Sequence, residues 1–203
     1  MQWVNTNLLH HIIFLLRPFA IHFNRDPVSE MSITYLPPEM YQKLFERSTP
    51  TPLRPKSSYF PELTPQISNL KLAGKSAPPQ VLTTLHLLND DIKSAHDIAE
   101  PFYYQGEHTC DYQHGIVHIR DGDYGNAMWW FGQLSHPLLA KNFAQSKEEN
   151  LPMNKARQRA RNFIAECERV GTGTSDDQRL EEKLYHQLKS LADWTIREFV
   201  EGK

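Results

Sequence analysis

Six of the ten histidines fall between positions 86 and 136. His114 and His118 are four residues apart, so on a helix both imidazoles project from one face. Two imidazoles so placed can share a divalent ion, with His136, His96, His108, Cys110 or Asp111 adding donors. The intervening residues Gly115, Ile116 and Val117 hold no acid to act as a base, so the pattern is not that of a His-Glu-x-x-His metalloprotease. The competing reading is a packed histidine–carboxylate network with hydrogen bonds to Asn89, Asp90, Asp91 or Asp123. HxxxH alone is a weak signal for zinc and does not decide between them.

Arg120 is the second chemical feature. Its guanidinium can grip a carboxylate or phosphate through two parallel hydrogen bonds, or fork onto Asp90 or Asp91. The triplet Asn89-Asp90-Asp91 reads either as a helix cap or as one wall of a polar pocket. Trp129, Trp130 and Phe131 are consecutive on a helix and cannot all face one way, so part of the trio is core and Trp129 is the one placed to line a groove. The candidate binding residues are therefore His86, Asn89, Asp90, His96, Arg120 and Trp130. Were the site catalytic, Asp91 or Asp123 would be base or orienting group. The candidate metal ligands are His114, His118 and His136.

Other chemistries find little in the sequence. Cys110 and Cys167 are the only cysteines, which excludes a disulfide scaffold and a Cys-x-x-Cys pair. A Cys110–histidine nucleophile rests on sequence proximity alone. Gly171-Thr-Gly-Thr174 follows no strand and reads as a connector, not a phosphate loop. Lys155, Arg157, Arg159 and Arg161 start a helix that soon turns acidic, as a solvated face does. The net charge is −2, with 24 acids against 22 Lys and Arg, so no excess of cations exists to bind nucleic acid non-specifically.

The elements that must position these residues are helical. Helices are expected over 36–47, 80–88, 91–100, 111–120, 124–135, 153–170 and 176–201, with a further turn at 138–146. In 153–170, Ala156, Ala160, Phe163, Ile164 and Cys167 fall at three- and four-residue steps, and Gly171 supplies a stop. In 176–201, Leu180, Leu184, Leu188, Leu191, Thr195 and Phe199 form a stripe, with Ser175 and Gln178 before it spaced as a capping box. No stretch after residue 80 alternates as a half-buried strand would, so the fold class is all-α.

A shift of 32 residues lays part of the chain on itself. Leu85-His-Leu-Leu-Asn-Asp-Asp-Ile-Lys-Ser-Ala95 aligns with Val117-His-Ile-Arg-Asp-Gly-Asp-Tyr-Gly-Asn-Ala127. His86 meets His118, Asp91 meets Asp123 and Ala95 meets Ala127. The spacing of Gly115, Gly122, Ala127 and Phe131 is similar to a tetratricopeptide repeat, although Pro137 arrives early and the tryptophan of the first helix is missing. The predicted architecture is a set of tetratricopeptide-like hairpins closed by two long C-terminal helices.

The string Leu88-Asn-Asp-Asp91, Ala95-His96, His114-x-Ile-Val-His118-x-Arg120-x-Gly-Asp123, Asn126-Ala127, Trp130-Phe131 and His136-Pro137 resembles a group of small proteins of filamentous fungi and bacteria. The resemblance covers about residues 80–200. It implies the extent of a helical body and assigns no activity.

Eleven of the fourteen prolines precede residue 80, so residues 48–80 have room only for short elements. The expected organisation is an N-terminal extension over 1–30, disordered or outside the true reading frame if translation starts at Met31; a proline-rich arm over 31–79; and a helical domain over 80–203. Residues 8–23 are apolar but interrupted by Arg17 and Pro18 and too short to span a bilayer. The expected partner is a protein or small molecule, with neither nucleic acid nor stable membrane insertion, and the 176–201 stripe is a candidate homo-oligomer contact. The expected location is cytoplasmic, mitochondrial targeting by residues 1–25 being the alternative. The function expected is binding in a His/Asp/Arg-lined groove; the alternative is a metal-assisted hydrolase or lyase centred on the histidines.

Overall fold

The computed structural model describes residues 34–102, 105–145, 151–170 and 175–202. The expectations for residues 1–30, for a stop at Gly171 and for a cap on the Ser175 side chain lie outside the described residues. The chain runs through α1 (Pro38–Phe45), α2 (Leu63–Ser68), β1 (Lys71–Leu72), β2 (Lys75–Ser76), α3 (Pro79–Leu88), α4 (Ile92–Ala99), α5 (His108–Asp121), α6 (Tyr124–Gln133), α7 (Pro137–Phe143), α8 (Met153–Arg169) and α9 (Ser175–Glu201). The fold is all-α: β1 and β2 are two residues each and form a hairpin whose turn, Ala73 and Gly74, has both φ angles positive. Proline sets several boundaries. It occupies the first turn of α1, α3 and α7, where its missing donor is no loss.

The 32-residue repeat is visible in the backbone. α3–α4 and α5–α6 are consecutive hairpins, and each turn is built the same way. Asp90 (φ 60°) and Gly122 (φ 84°) hold equivalent left-handed positions. The next amide closes back on the helix in both, Asp91 N–H on the His86 carbonyl and Asp123 N–H on the His118 carbonyl, each at 2.9 Å. Asp91 and Asp123 then cap the following helices, their Oδ1 atoms accepting from the amides of Ser94 and Asn126 at 3.2 Å. Ala95 and Ala127 are fully buried one turn further on.

α5 lies at the centre. Its residues from Tyr112 to Arg120 are all buried, which is the burial of a helix with neighbours on every side. α6 packs against α5 and α8, and α9 crosses α3, α7 and α8. The stripe Leu180, Leu184, Leu188, Leu191 and Thr195 is therefore interior to the single chain, and is not a face left for a second copy. No helix among the described residues is long and apolar enough to cross a membrane.

The proline-rich segment does not hang beside this body. Leu36, Met40, Leu44, Leu53, Leu63, Ile67 and Leu72 belong to the same apolar cluster as Val81, Leu85 and Leu88. The basic residues opening α8 act structurally as well. Arg157 donates to the Leu134 carbonyl at 2.7 Å and Arg159 to the Phe143 carbonyl at 3.0 Å, satisfying carbonyls at the ends of α6 and α7.

Gly115 is where α5 and α6 approach most closely. A Cβ there would stand 2.8 Å from Cε2 of Phe131, whose ring is buried against Tyr112. In Gly115→Ala, about 1 kcal/mol of gained helix propensity opposes an overpacking cost of roughly 1–3 kcal/mol. Because the buried Phe131 ring must shift to admit the methyl, we expect net destabilisation of up to about 2 kcal/mol in urea unfolding; equal or greater stability would show that the two helices can part.

Candidate functional site

The candidate residues divide between two places. His86, Asn89, Asp90, Asp91 and Arg120 surround the turn of the first hairpin, and the chain's own proline-rich segment occupies it. Asn89 pairs with both backbone groups of Phe60, its Nδ2 donating to the carbonyl and its Oδ1 accepting from the amide, each at 3.0 Å. Asp90 accepts from Thr51 Oγ1 at 2.5 Å, from Arg47 Nη2 at 3.0 Å and from Arg120 Nη2 at 2.5 Å. Arg120 also donates to the carbonyls of Leu87 and Pro52. Asp91 accepts from Thr64 Oγ1 at 2.9 Å, and its Oδ2 lies 3.2 Å from His86 Nδ1.

The groove expected to take a ligand here is thus filled in cis. Arg120 is wholly buried and committed to Asp90, as the structural reading of its sequence context held. Asp91 is a cap and an anchor for Thr64, which leaves no free carboxylate for catalysis at this turn.

The second place lies on the other side of α5. His96 at the end of α4, His114 and His118 on α5, and Trp130 on α6 meet there. The Nε2 atoms of His114 and His118 are 2.5 Å apart. The His96 ring centre is 5.3 Å from that of His114 and 6.2 Å from that of His118, and Trp130 lies 4.8 Å from His114. The Asn126 amide contacts His118 Nε2 at 3.0 Å, and Asp123 Oδ2 stands 3.7 Å from His118 Nδ1. His114 and Trp130 are buried, while the His96 side chain keeps a third of its surface exposed.

Charge at this cluster follows from burial. Burial pushes His114 down to about 3, assisted by the neighbouring His118 and His96. Burial also lowers His118, against the opposing pull of Asp123. The imidazoles of this pair are therefore neutral at physiological pH and present lone pairs rather than positive charge.

His136 is not part of this cluster. It caps α7, its Nδ1 accepting from the Leu138 amide at 3.2 Å, and its ring packs between Tyr112 and Trp194. The expected His114–His118–His136 ligand set is not brought together; the third ring beside His114 and His118 is His96. Among the described residues, no group of three or more His, Cys, Asp or Glu side chains could hold a metal ion. Cys110 is buried, and burial raises its thiol to about 12, so it is protonated and unfit as a nucleophile. Trp129 is the exposed member of its trio and lines a shallow groove with Met128 and Arg161, while Trp130 and Phe131 turn inward.

Placing His96 beside His114 required the crossing of α4 over α5. The signal was present in part, because α4 and α5 are consecutive and His96 directly follows the small Ala95 that lets helices close. Comparison with family models, with curated proteins and with solved structures finds no match to the chain.

Two outcomes follow from this geometry. Asp90→Ala leaves two buried guanidiniums without their carboxylate and should cost about 3–5 kcal/mol in urea unfolding. Tryptic cleavage after Lys56 should accelerate with it; unchanged cleavage would mean that the segment is held by other contacts. The second concerns acid. The folded pKa values of His114 (about 3) and His136 (about 4) lie below the ordinary 6.5, so the unfolded chain binds protons first as pH falls. Stability is full above about 6.5 and is lost as pH falls from there, down to about 4 for His136 and about 3 for His114, by up to about 1.4 kcal/mol per pH unit for each histidine. His114→Gln should flatten part of that slope in denaturation measured at several pH values, and an identical slope would exclude His114 as its source.

Proposed function

We propose that the chain is a non-catalytic binding module built from two tetratricopeptide-like hairpins, with its ligand seat at the His96–His114–His118–Trp130 cleft. The observation that carries the reading is the gathering of three imidazoles from two helices, with Trp130 against His114 and the half-buried His96 at the edge. Small-ligand sites combine such apolar walls with a few convergent polar atoms.

The chemistry narrows the ligand. An anion would require positive charge, and Arg120, the cation that the sequence offered for this purpose, is spent on Asp90 on the other side of α5. Each neutral imidazole offers one lone pair and one N–H but no charge. The ligand class is therefore a flat molecule bearing N–H or O–H donors, or an electron-pair acceptor, rather than the small acid expected from the sequence. A long peptide is disfavoured at the first hairpin, because residues 47–64 already lie along its turn.

The test is a chemical-shift titration of the full chain, labelled at tryptophan indoles and histidine rings, with three probes: phenol, benzamide and benzoate. Phenol or benzamide should move the Trp130 indole and the His114 and His118 rings with affinities of about 1 mM, and benzoate should not. Silence from all three probes, or a response to benzoate alone, would overturn the reading.

A further inference from the structure

A second cavity shares no residue with the histidine cleft, and the inference drawn from it does not depend on the reading just given. It encloses 310 Å³ between the start of α3, the start of α5 and the last turns of α9. Its walls include the aromatic rings of Trp194 and Phe199, the neutral polar groups of Gln80 and Thr109, and the carboxylates of Glu107 and Glu198. No lysine, arginine or histidine is among its described lining residues. We propose that this cavity is a seat for an organic cation, an alkylated ammonium group in the first instance.

Charge sets the sign of the ligand. Glu107 is oriented by Gln80, whose Nε2 donates to its Oε2 at 2.8 Å. A carboxylate offers about four lone-pair sites, so one amide donor does not saturate it. Glu198 stands in the last turn of a 27-residue helix, where the carbonyl ends gather partial negative charge, and that turn holds no basic residue. The opposite partial charge, at the start of α5, is answered by Glu107 and Asp111. An anion entering this cavity meets two carboxylates and no cation, whereas an ammonium supplies the charge that the walls lack.

The aromatic rings set the kind of cation. An indole or phenyl face attracts positive charge through its quadrupole, and the attraction is stronger when little water must be shed. The Trp194 ring is braced from behind, its centre 5.2 Å from that of His136, and the Thr109 hydroxyl contacts the same imidazole at 3.3 Å. Two carboxylates are too few for a bare metal ion, which needs more donors, and no group of three or more ligating side chains among the described residues could supply them. An alkylated ammonium spreads its charge over methyl groups, which suit the rings while the charge suits the glutamates. The volume is at the small end of ligand pockets and fits a head group. That head group belongs either to a free amine or to a methylated lysine of another protein.

The experiment is a chemical-shift titration of the full chain labelled at the tryptophan indoles, the Trp194 signal being assigned by its loss in Trp194→Phe. The probes are choline, its uncharged carbon isostere dimethylbutanol, and a short peptide carrying trimethyllysine. Choline or the peptide should move the Trp194 indole with a dissociation constant of about 1 mM. The isostere should bind at least about 10-fold more weakly, because it has the shape without the charge. Glu198→Gln, a change at a part-exposed position, should weaken binding of the cation roughly 5-fold. Tighter binding of the peptide assigns the head group to a partner protein, and tighter binding of choline to a free amine. An unmoved Trp194 indole at about 20 mM of either cation, an equal response to dimethylbutanol, or an affinity indifferent to Glu198→Gln would overturn the proposal. So would a shift confined to Trp130. Since phenol and benzamide are read at Trp130 and the cations at Trp194, either seat can fail without the other.

Discussion

The fold turns on one buried carboxylate. Asp90 sits at a left-handed backbone position, φ 60°, that its counterpart in the second hairpin gives to Gly122. For a non-glycine residue that conformation costs roughly 1–2 kcal/mol. The side chain gained in exchange receives two guanidiniums, Arg47 from the proline-rich segment and Arg120 from the central helix, together with the hydroxyl of Thr51. Other guanidinium donors reach the carbonyls of Thr49, Pro50, Pro52, Leu87 and Leu88, so backbone shares the cluster with charge, while the buried Arg120 Nε has no hydrogen-bond partner. A buried ion pair adds little net stability over a well-packed apolar substitute, but it tolerates few alternative arrangements. Its effect here is registry: it fixes which residues of a segment poor in regular structure lie on the first hairpin.

That explains why the segment was harder to read than the helices. The repeat was legible because its elements are local. A left-handed residue, an aspartate cap and a small alanine recur at fixed offsets, and each acts within a few residues of its own position. The stripe of α9 was legible in the same way, although periodicity could not say whether it faced its own chain or another. Residues 48–79 have no period. Leu53, Leu63, Ile67 and Leu72 are single apolar residues among prolines, and nothing in their spacing announces a shared core. Their burial is created by long-range partners: Asn89 binding Phe60, Asp91 binding Thr64, and Tyr185 Oη donating to the Leu44 carbonyl at 2.7 Å. Two prolines of the arm, Pro50 and Pro52, leave carbonyls that arginines cap.

The candidate site was legible in its residues and not in its grouping. One list of binding residues in the sequence becomes two sets in space, because α5 presents different faces to its neighbours. His114 and His118 lie one turn apart on one face, whereas Arg120, two residues beyond His118, points about 200° away around the helix. His136 is a third ligand by residue type alone, yet Pro137 makes it the residue before a helix start, where its ring nitrogen meets the Leu138 amide. His96 takes its place because the α4–α5 crossing brings the end of one helix to the middle of the next.

The two faces of α5 depend on each other. The histidine pair is neutral because it is buried, and it stays buried because α5 cannot move outward without dragging Arg120 from Asp90 and the arm with it. Gly115 lies between His114 and Ile116, where the absence of a side chain admits Phe131 and brings α6, with Trp130 and Asn126, against the imidazoles. The ionic cluster thus acts on the cleft without touching it. It holds the helix at the depth where the two imidazoles are buried against each other, while His96, the more exposed ring, sits on the short helix α4, whose start is capped by Asp91.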